Sequence, residues 1–117
     1  MNERWQRGAA AFLAAAVLSA PLAMLVPAGS RADEPLGEQL YKKNDCVTCH
    51  AIDHQVVGPS YQAIAKKYAG QPGAVDMLVK AVKNGHVGTW GVVPMPAHPT
   101  VSDADIKTMV EWILSLK

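Results

Sequence analysis

Two cysteines and a histidine lie within five consecutive positions, in the stretch CVTCH that begins at Cys46. This spacing constrains the fold strongly, because each use of two thiols three positions apart needs a different structure around them. A disulfide across two residues would close too small a loop to stabilise a domain. A thioredoxin-like thiol pair belongs in a β-α-β unit. A structural zinc site takes four ligands, usually from two such clusters.

The remainder of the sequence argues against these three uses. Its apolar residues recur at helical spacing, no run alternates long enough to be a convincing strand, and there is no second cysteine pair. The remaining interpretation is the C-x-x-C-H attachment motif of haem c, formed here by Cys46, Cys49 and His50. Two thiols on one helical turn can bond the two vinyl groups along one porphyrin edge, with the histidine beneath the iron. The motif therefore predicts one covalently bound haem c, which would also enlarge a small apolar core.

The N-terminal part of the chain differs in composition from the rest. Two arginines precede an uncharged stretch, Gly8 to Ser30, that is rich in Ala, Leu and Val and leads to small residues at a cleavage-like end. This pattern predicts a cleaved signal peptide at 1–32 and a single domain at 33–117. A retained membrane helix is the alternative. Two prolines inside the stretch argue against it.

The predicted domain has a nearly balanced charge. Positions 33–117 hold eight lysines, no arginine and nine acidic residues, which gives a formal charge of −1. Such a balance does not support a nucleic-acid partner.

Four amphipathic helices are predicted in the domain, each with an apolar stripe at helical spacing. They run from Pro35 toward the cysteines, from Ser60 to Ala69, from near Pro72 to Asn84, and from a Ser102 cap to the C-terminus. The segment HVGTWGVVPMPAHPT, between the third and fourth helices, is rich in Gly and Pro and is predicted to be irregular. A long irregular segment in a small domain is usually functional.

A haem iron has a sixth coordination position, which a side chain outside the C-x-x-C-H motif would fill. The candidates are Met77, Met95, Met109, His54, His86 and His98. Met95 is favoured because Pro94 and Pro96 flank it. Two prolines hold a thioether in an extended loop with little loss of entropy.

The other candidates are less favoured. Met77 and Met109 lie at helical spacings that indicate core or partly buried positions. His54 is too near the motif in sequence to reach the opposite side of the iron. A second histidine ligand, either His86 or His98, is the rival interpretation.

With these residues in place, the chain resembles the small class I c-type cytochromes of bacteria, in the cytochrome c-551/c-552 (cytochrome c8) family. The resemblance covers positions 36–117 and rests on CVTCHAID, VGPSY, KKYAG, VKNG, GTWGVVPMP and VSDADIKTMVEWILSLK. It implies an all-α fold of about four helices around one haem, in the periplasm. It also implies a one-electron carrier, not an enzyme, that serves partners such as a nitrite reductase or a terminal oxidase. The alternative is a gas sensor or a peroxidase-like protein with a labile sixth ligand.

The resemblance also implies roles for single positions. The residues that would bind the cofactor are Cys46 and Cys49 as thioethers, with His50 and Met95 as axial ligands. Pro59 resembles the residue whose carbonyl accepts the ring N–H of the axial histidine. Trp90 resembles the indole that donates to a haem propionate, with plain packing as the alternative.

Two positions depart from the family pattern. Ala81 stands where some relatives carry an arginine near the propionates, which leaves Lys83 as the nearest substitute. His98 stands where an amide would donate toward the methionine sulfur.

The exposed edge of the cofactor would lie beside Cys46 and would be rimmed by apolar side chains. They are Val47, Val56 and Val57 on one side, and Val92, Val93 and Pro94 on the other. An apolar patch of this kind is typical of a docking surface. We therefore expect a monomer with redox proteins as partners, without nucleic acid, and without a membrane once the signal peptide is removed.

Overall fold

A computed structural model of the protein describes residues 33–117, so the predicted signal peptide at 1–32 lies outside the described residues. The helices in this part are α1 (Leu36–Lys43), α2 (Tyr61–Tyr68), α3 (Ala74–Asn84) and α4 (Asp103–Ser115). A 3₁₀ turn, Cys46–Thr48, follows α1, and strands β1 (His86–Gly88) and β2 (Gly91–Met95) lie between α3 and α4. The prediction of four helices in an all-α fold is confirmed. Within 33–117, no helix is both long and apolar enough to cross a membrane.

The helix ends follow signals that are present in the sequence. The Ser60 hydroxyl accepts the Ala63 N–H at 3.1 Å at the start of α2, and the Ser102 hydroxyl accepts the Asp105 N–H at 3.1 Å at the start of α4. Each bond satisfies a backbone donor that the first helical turn leaves without a partner. Gly70, with φ of 70°, follows α2 and reverses the chain, as glycine does after many helices.

Helix α4 is the centre of the core and packs against the other three helices. Ile106, which is 0% exposed, and Val110 are its most deeply buried side chains, and Leu40 of α1 packs on both. Burying side chains of this kind contributes about 1.5–3 kcal/mol each. Helix α1 crosses α4 at Gly37, where an added Cβ would overlap the Cβ of Trp112. The close crossing therefore requires a residue without a side chain.

The segment between α3 and α4 differs from the prediction, because part of it forms a β-hairpin. Strands β1 and β2 pair antiparallel, with His86 opposite Met95 and Gly88 opposite Gly91. Both glycines adopt a positive φ, of 101° and 123°, at the end where the chain turns. Pro94 fits β2 because both strands of a two-stranded sheet are edges, where a missing N–H is tolerated. Such short strands, interrupted by Gly and Pro, carry no alternating pattern, so the spacing of apolar residues does not predict them.

Candidate cofactor site

A cavity of about 540 Å³ lies between the helices and the hairpin. Its wall is formed by the segment after α1, by α2, α3 and α4, and by both strands. The six residues that the sequence assigned to the cofactor all line it: Cys46, Cys49, His50, Pro59, Trp90 and Met95. Most of the other lining side chains are apolar, and the volume is in the range of sites that bind a small-molecule cofactor.

The His50 side chain is held in one orientation at this cavity. The residue is 8% exposed, and its ring Nδ1 lies 2.7 Å from the carbonyl oxygen of Pro59. The ring stacks on Tyr61 with centroids 5.2 Å apart, and the backbone carbonyl of His50 accepts the Tyr41 hydroxyl at 2.6 Å. Because the Pro59 oxygen can only accept, Nδ1 carries the proton. Nε2 is then the ring nitrogen that remains to bind a metal.

Gly58 is a site residue that the sequence reasoning did not identify. An added Cβ at this position would lie 2.6 Å from Cε1 and 3.0 Å from Nδ1 of the His50 ring. Its N–H donates to the Cys49 carbonyl at 2.7 Å, which fixes the glycine beneath the ring. The sequence signal for it is the glycine directly before Pro59 in VGPSY, one of the segments on which the resemblance rests.

We expect Gly58→Ala to displace the His50 ring, because the added methyl group would overlap the ring unless the ring or the backbone moves. Forcing an extra carbon into a packed site costs about 1–3 kcal/mol, so the free energy of unfolding should fall by that amount. Chemical denaturation of the haem-loaded protein measures it. In the control variant Gly70→Ala, the added Cβ meets no atom within 4 Å, so the cost is limited to the positive φ, about 1 kcal/mol. Equal losses in both variants would contradict the proposed crowding.

The two cysteines lie on a 3₁₀ turn, where the sequence suggested a turn of α-helix. Asp45, with φ of 58°, begins the turn, and the His50 N–H closes it on the Cys46 carbonyl at 2.9 Å. Cys46 and Cys49 are half-buried free thiols. Burial raises the pKa of the Cys46 thiol, and burial likewise raises the pKa of the Tyr61 phenol beside it. The Cys46 thiol therefore stays protonated at neutral pH until its sulfur bonds to the cofactor, and the Tyr61 phenol stays protonated as well.

The methionine candidates differ in their positions around the cavity. Met95, at the end of β2, is half-buried, and an added Cβ at Gly85 would lie 2.8 Å from its carbonyl oxygen. Met109 is buried in the core, as its spacing predicted. Met77 is 44% exposed and lines the cavity wall, so the expectation of a core or partly buried position was wrong for this residue.

Of the histidines outside the motif, only His86 lines the cavity. His54 is exposed, away from it. The backbone N–H of His98 donates to the Val82 carbonyl at 3.0 Å, but its ring makes no hydrogen bond to Met95 within residues 33–117. The sequence left the role of His98 open, and the side chain does not line the cavity.

The lysines at the cavity mouth also differ from expectation. Lys83, the nearest substitute for the arginine of the family pattern, forms an ion pair with Asp103 at 2.9 Å and does not line the cavity. Lys80, one turn earlier in α3, lines the wall. Trp90 lies at the mouth beneath the Lys67 ammonium, which is 5.6 Å from the indole centroid. This distance is within the range of a cation–π interaction.

A four-helix fold with a cavity between its helices and a hairpin, and with a C-x-x-C-H segment at the cavity wall, defines the class I c-type cytochromes. The sequence model of the family described as Cytochrome c matches residues 35–117. On this agreement of sequence, fold and site, the chain belongs to the cytochrome c family, in the c-551/c-552 group.

Individual relatives support this assignment. A cytochrome c-551 from Azotobacter vinelandii is 51% identical over 81 residues, which cover 69% of this chain and 98% of the relative. A cytochrome c-551 from Pseudomonas aeruginosa is 46% identical over 93 residues, covering 80% and 86%. The crystal structure of Nitrosomonas europaea cytochrome c552 superposes with a TM-score of 0.67 at 46% identity, covering 68% of this chain and 99% of that one.

Membership of this family implies a covalently bound haem c, and Cys46 and Cys49 fit the motif that attaches it. The site fits the group on its own geometry. Both thiols are free at the wall of an apolar cavity, and His50 has one ring nitrogen left for a metal. The chain is therefore an electron-transfer protein.

Proposed function

We propose that this chain is an exported, monomeric one-haem carrier that passes single electrons between periplasmic redox proteins. The observation that carries the proposal is the cavity, which gathers His50 and Met95 together with the two cysteines. When bound, haem c supplies an iron that alternates between the ferrous and ferric states.

The side chains have separate tasks in this proposal. Cys46 and Cys49 would hold the porphyrin edge as thioethers, while His50 Nε2 and the Met95 sulfur would bind the iron. The Pro59 carbonyl keeps the proton on Nδ1 and increases the basicity of the ligand nitrogen. With both of these ligands bound, the iron would have no position left for a substrate, which favours a carrier over an enzyme.

The residues at the mouth would bind the haem carboxylates. Trp90 lines the cavity there, and its indole N–H is a donor without acceptor capacity, which suits a carboxylate. We assign to Lys80 the positive charge that would face the haem carboxylates, because Lys80 lines the cavity and Lys83 is paired with Asp103. The Lys67 ammonium above Trp90 adds a second cation at this mouth.

The sequence supports a location and a kind of partner. We propose that 1–32 is a cleaved signal peptide that directs the domain at 33–117 to the periplasm. We propose a respiratory or denitrification enzyme, such as a nitrite reductase or a terminal oxidase, as the electron acceptor. Contact would occur at the exposed haem edge, where Val47, Val56 and Val93 are all exposed. Of these three, Val93 lines the cavity mouth.

Optical spectra of the purified reduced protein test this function. We expect a sharp α band, which indicates low-spin haem c, and little change on addition of carbon monoxide, because Met95 holds the sixth position. A rapid Soret shift with carbon monoxide at neutral pH would instead indicate a gas sensor or a peroxidase-like protein. A colourless preparation would contradict haem binding altogether.

A further inference from the structure

We propose that His86 is a reserve axial ligand, which binds the haem iron when Met95 leaves it. The inference rests on the proposed function, since it requires an iron between His50 and the hairpin. It concerns a residue to which neither the motif nor the proposed carrier function assigns a role.

The register of the hairpin places His86 beside Met95. The two residues are directly opposite each other in the antiparallel pair. Side chains of directly opposed residues project from the same face of a sheet, with Cβ atoms about 4.5–5.5 Å apart. Both residues line the cavity. When Met95 leaves the iron, the His86 imidazole is therefore the neighbouring side chain on the face of the sheet that lines the cavity.

The His86 ring is only weakly held where it is. Its Nε2 lies 2.6 Å from the Thr89 hydroxyl, and no other hydrogen bond engages the ring within residues 33–117. The residue is exposed, so water can replace this bond when the ring moves. Exchange of one exposed hydrogen bond for a bond to water changes the free energy little. The ring is therefore available to a stronger partner.

The backbone on either side of His86 permits the movement that binding requires. His86 lies on the strand next to that of Met95, so β1 has to shift toward the iron for its imidazole to take the vacated position. Gly85 and Gly88 flank the residue with φ of 82° and 101°, a region in which glycine has more conformational freedom than other residues. A two-stranded sheet is only marginally stable in water and can shift without disturbing the helical core.

The remaining histidines do not have this placement. His54 is exposed outside the cavity, where its Nδ1 lies 2.7 Å from an Asp53 carboxylate oxygen. His98 lies outside the cavity as well, and its backbone is held by Val82. The chain has no histidine beyond these and His50. A reserve ligand at His86 would keep both axial positions filled and exclude small molecules from the iron whenever the methionine dissociates.

The experiment compares the ferric spin state of haem-loaded Met95→Ala with that of Met95→Ala/His86→Gln at neutral pH. We expect the single variant to give the low-spin electron paramagnetic resonance of an iron with two histidine ligands. The double variant should be high-spin. A high-spin single variant, or a double variant that stays low-spin, would overturn the proposal.

Matched controls use the two other histidines. Met95→Ala/His54→Gln and Met95→Ala/His98→Gln should both stay low-spin, and loss of the low-spin signal in either would assign the ligand elsewhere and overturn the proposal. A second measurement does not depend on folding of a double variant. In Met95→Ala labelled with ¹⁵N-histidine, hyperfine couplings should come from two histidines, and coupling from one alone would overturn the proposal.

The parent protein separates this inference from the proposed function. If the ferric parent protein lacks the weak sulfur-to-iron absorption, the pair of iron ligands in the proposed function is wrong. If that absorption is present but the double variant stays low-spin, only the role of His86 is overturned.

Discussion

We expect Met95→Ala to lose the weak sulfur-to-iron absorption of the ferric protein and to have a lower reduction potential. The fall should be on the order of 0.2 V, a fraction of the roughly 0.8 V that axial ligands span. The physical reason is that a thioether raises the potential relative to other axial ligands. Optical titration against redox mediators measures both quantities in one experiment. The expected loss of absorption is the same whether water or His86 then occupies the vacated position.

The controls for this prediction are the other methionines of the cavity wall. Met77 is the serious rival, because it lines the cavity as Met95 does. We expect Met77→Ala and Met109→Leu to keep the absorption. Survival of the band in Met95→Ala, or its loss in Met77→Ala, would show that Met95 is not the ligand.

The second large effect is expected at the rim of the cavity. Val93→Asp should slow electron transfer to the physiological acceptor about tenfold or more while the reduction potential changes little. Val93 is 62% exposed and lines the cavity mouth, so a partner that docks at the haem edge would cover it. A carboxylate buried there without a partner costs a few kcal/mol, which exceeds the roughly 1.4 kcal/mol that a factor of ten represents. Stopped-flow mixing with the acceptor measures the rate.

Leu36→Asp is the matched control for Val93→Asp. Leu36 is 59% exposed on α1 and lies away from the cavity, so the substitution makes the same change in charge outside the docking surface. Its rate should equal that of the parent. We also expect a mild dependence on salt, because a domain with a formal charge of −1 cannot steer a partner strongly over distance. A parental rate for Val93→Asp together with a steep salt dependence would indicate a charged docking face instead.

The sequence alone was sufficient for the features that depend on neighbouring residues. The N-termini of α2 and α4 could be predicted because the Ser60 and Ser102 hydroxyls each accept the backbone N–H three residues ahead. The apolar stripe that buries Ile106 and Val110 repeats within one helix, so its spacing is visible without the fold. The C-x-x-C-H motif is also local, since attachment to one porphyrin edge requires the thiols to be close in sequence.

Only the tertiary structure decided the features that depend on residues far apart in the chain. The pairing of His86 with Met95 depends on how β1 and β2 align, and neither strand has an alternating pattern that predicts it. Lys83 was expected near the cofactor, but its ammonium forms an ion pair with Asp103 at the start of α4. Gly58 matters only because the His50 ring lies against it. Periodicity and spacing describe one segment at a time, whereas these contacts exist only after separate segments have packed around a common cavity.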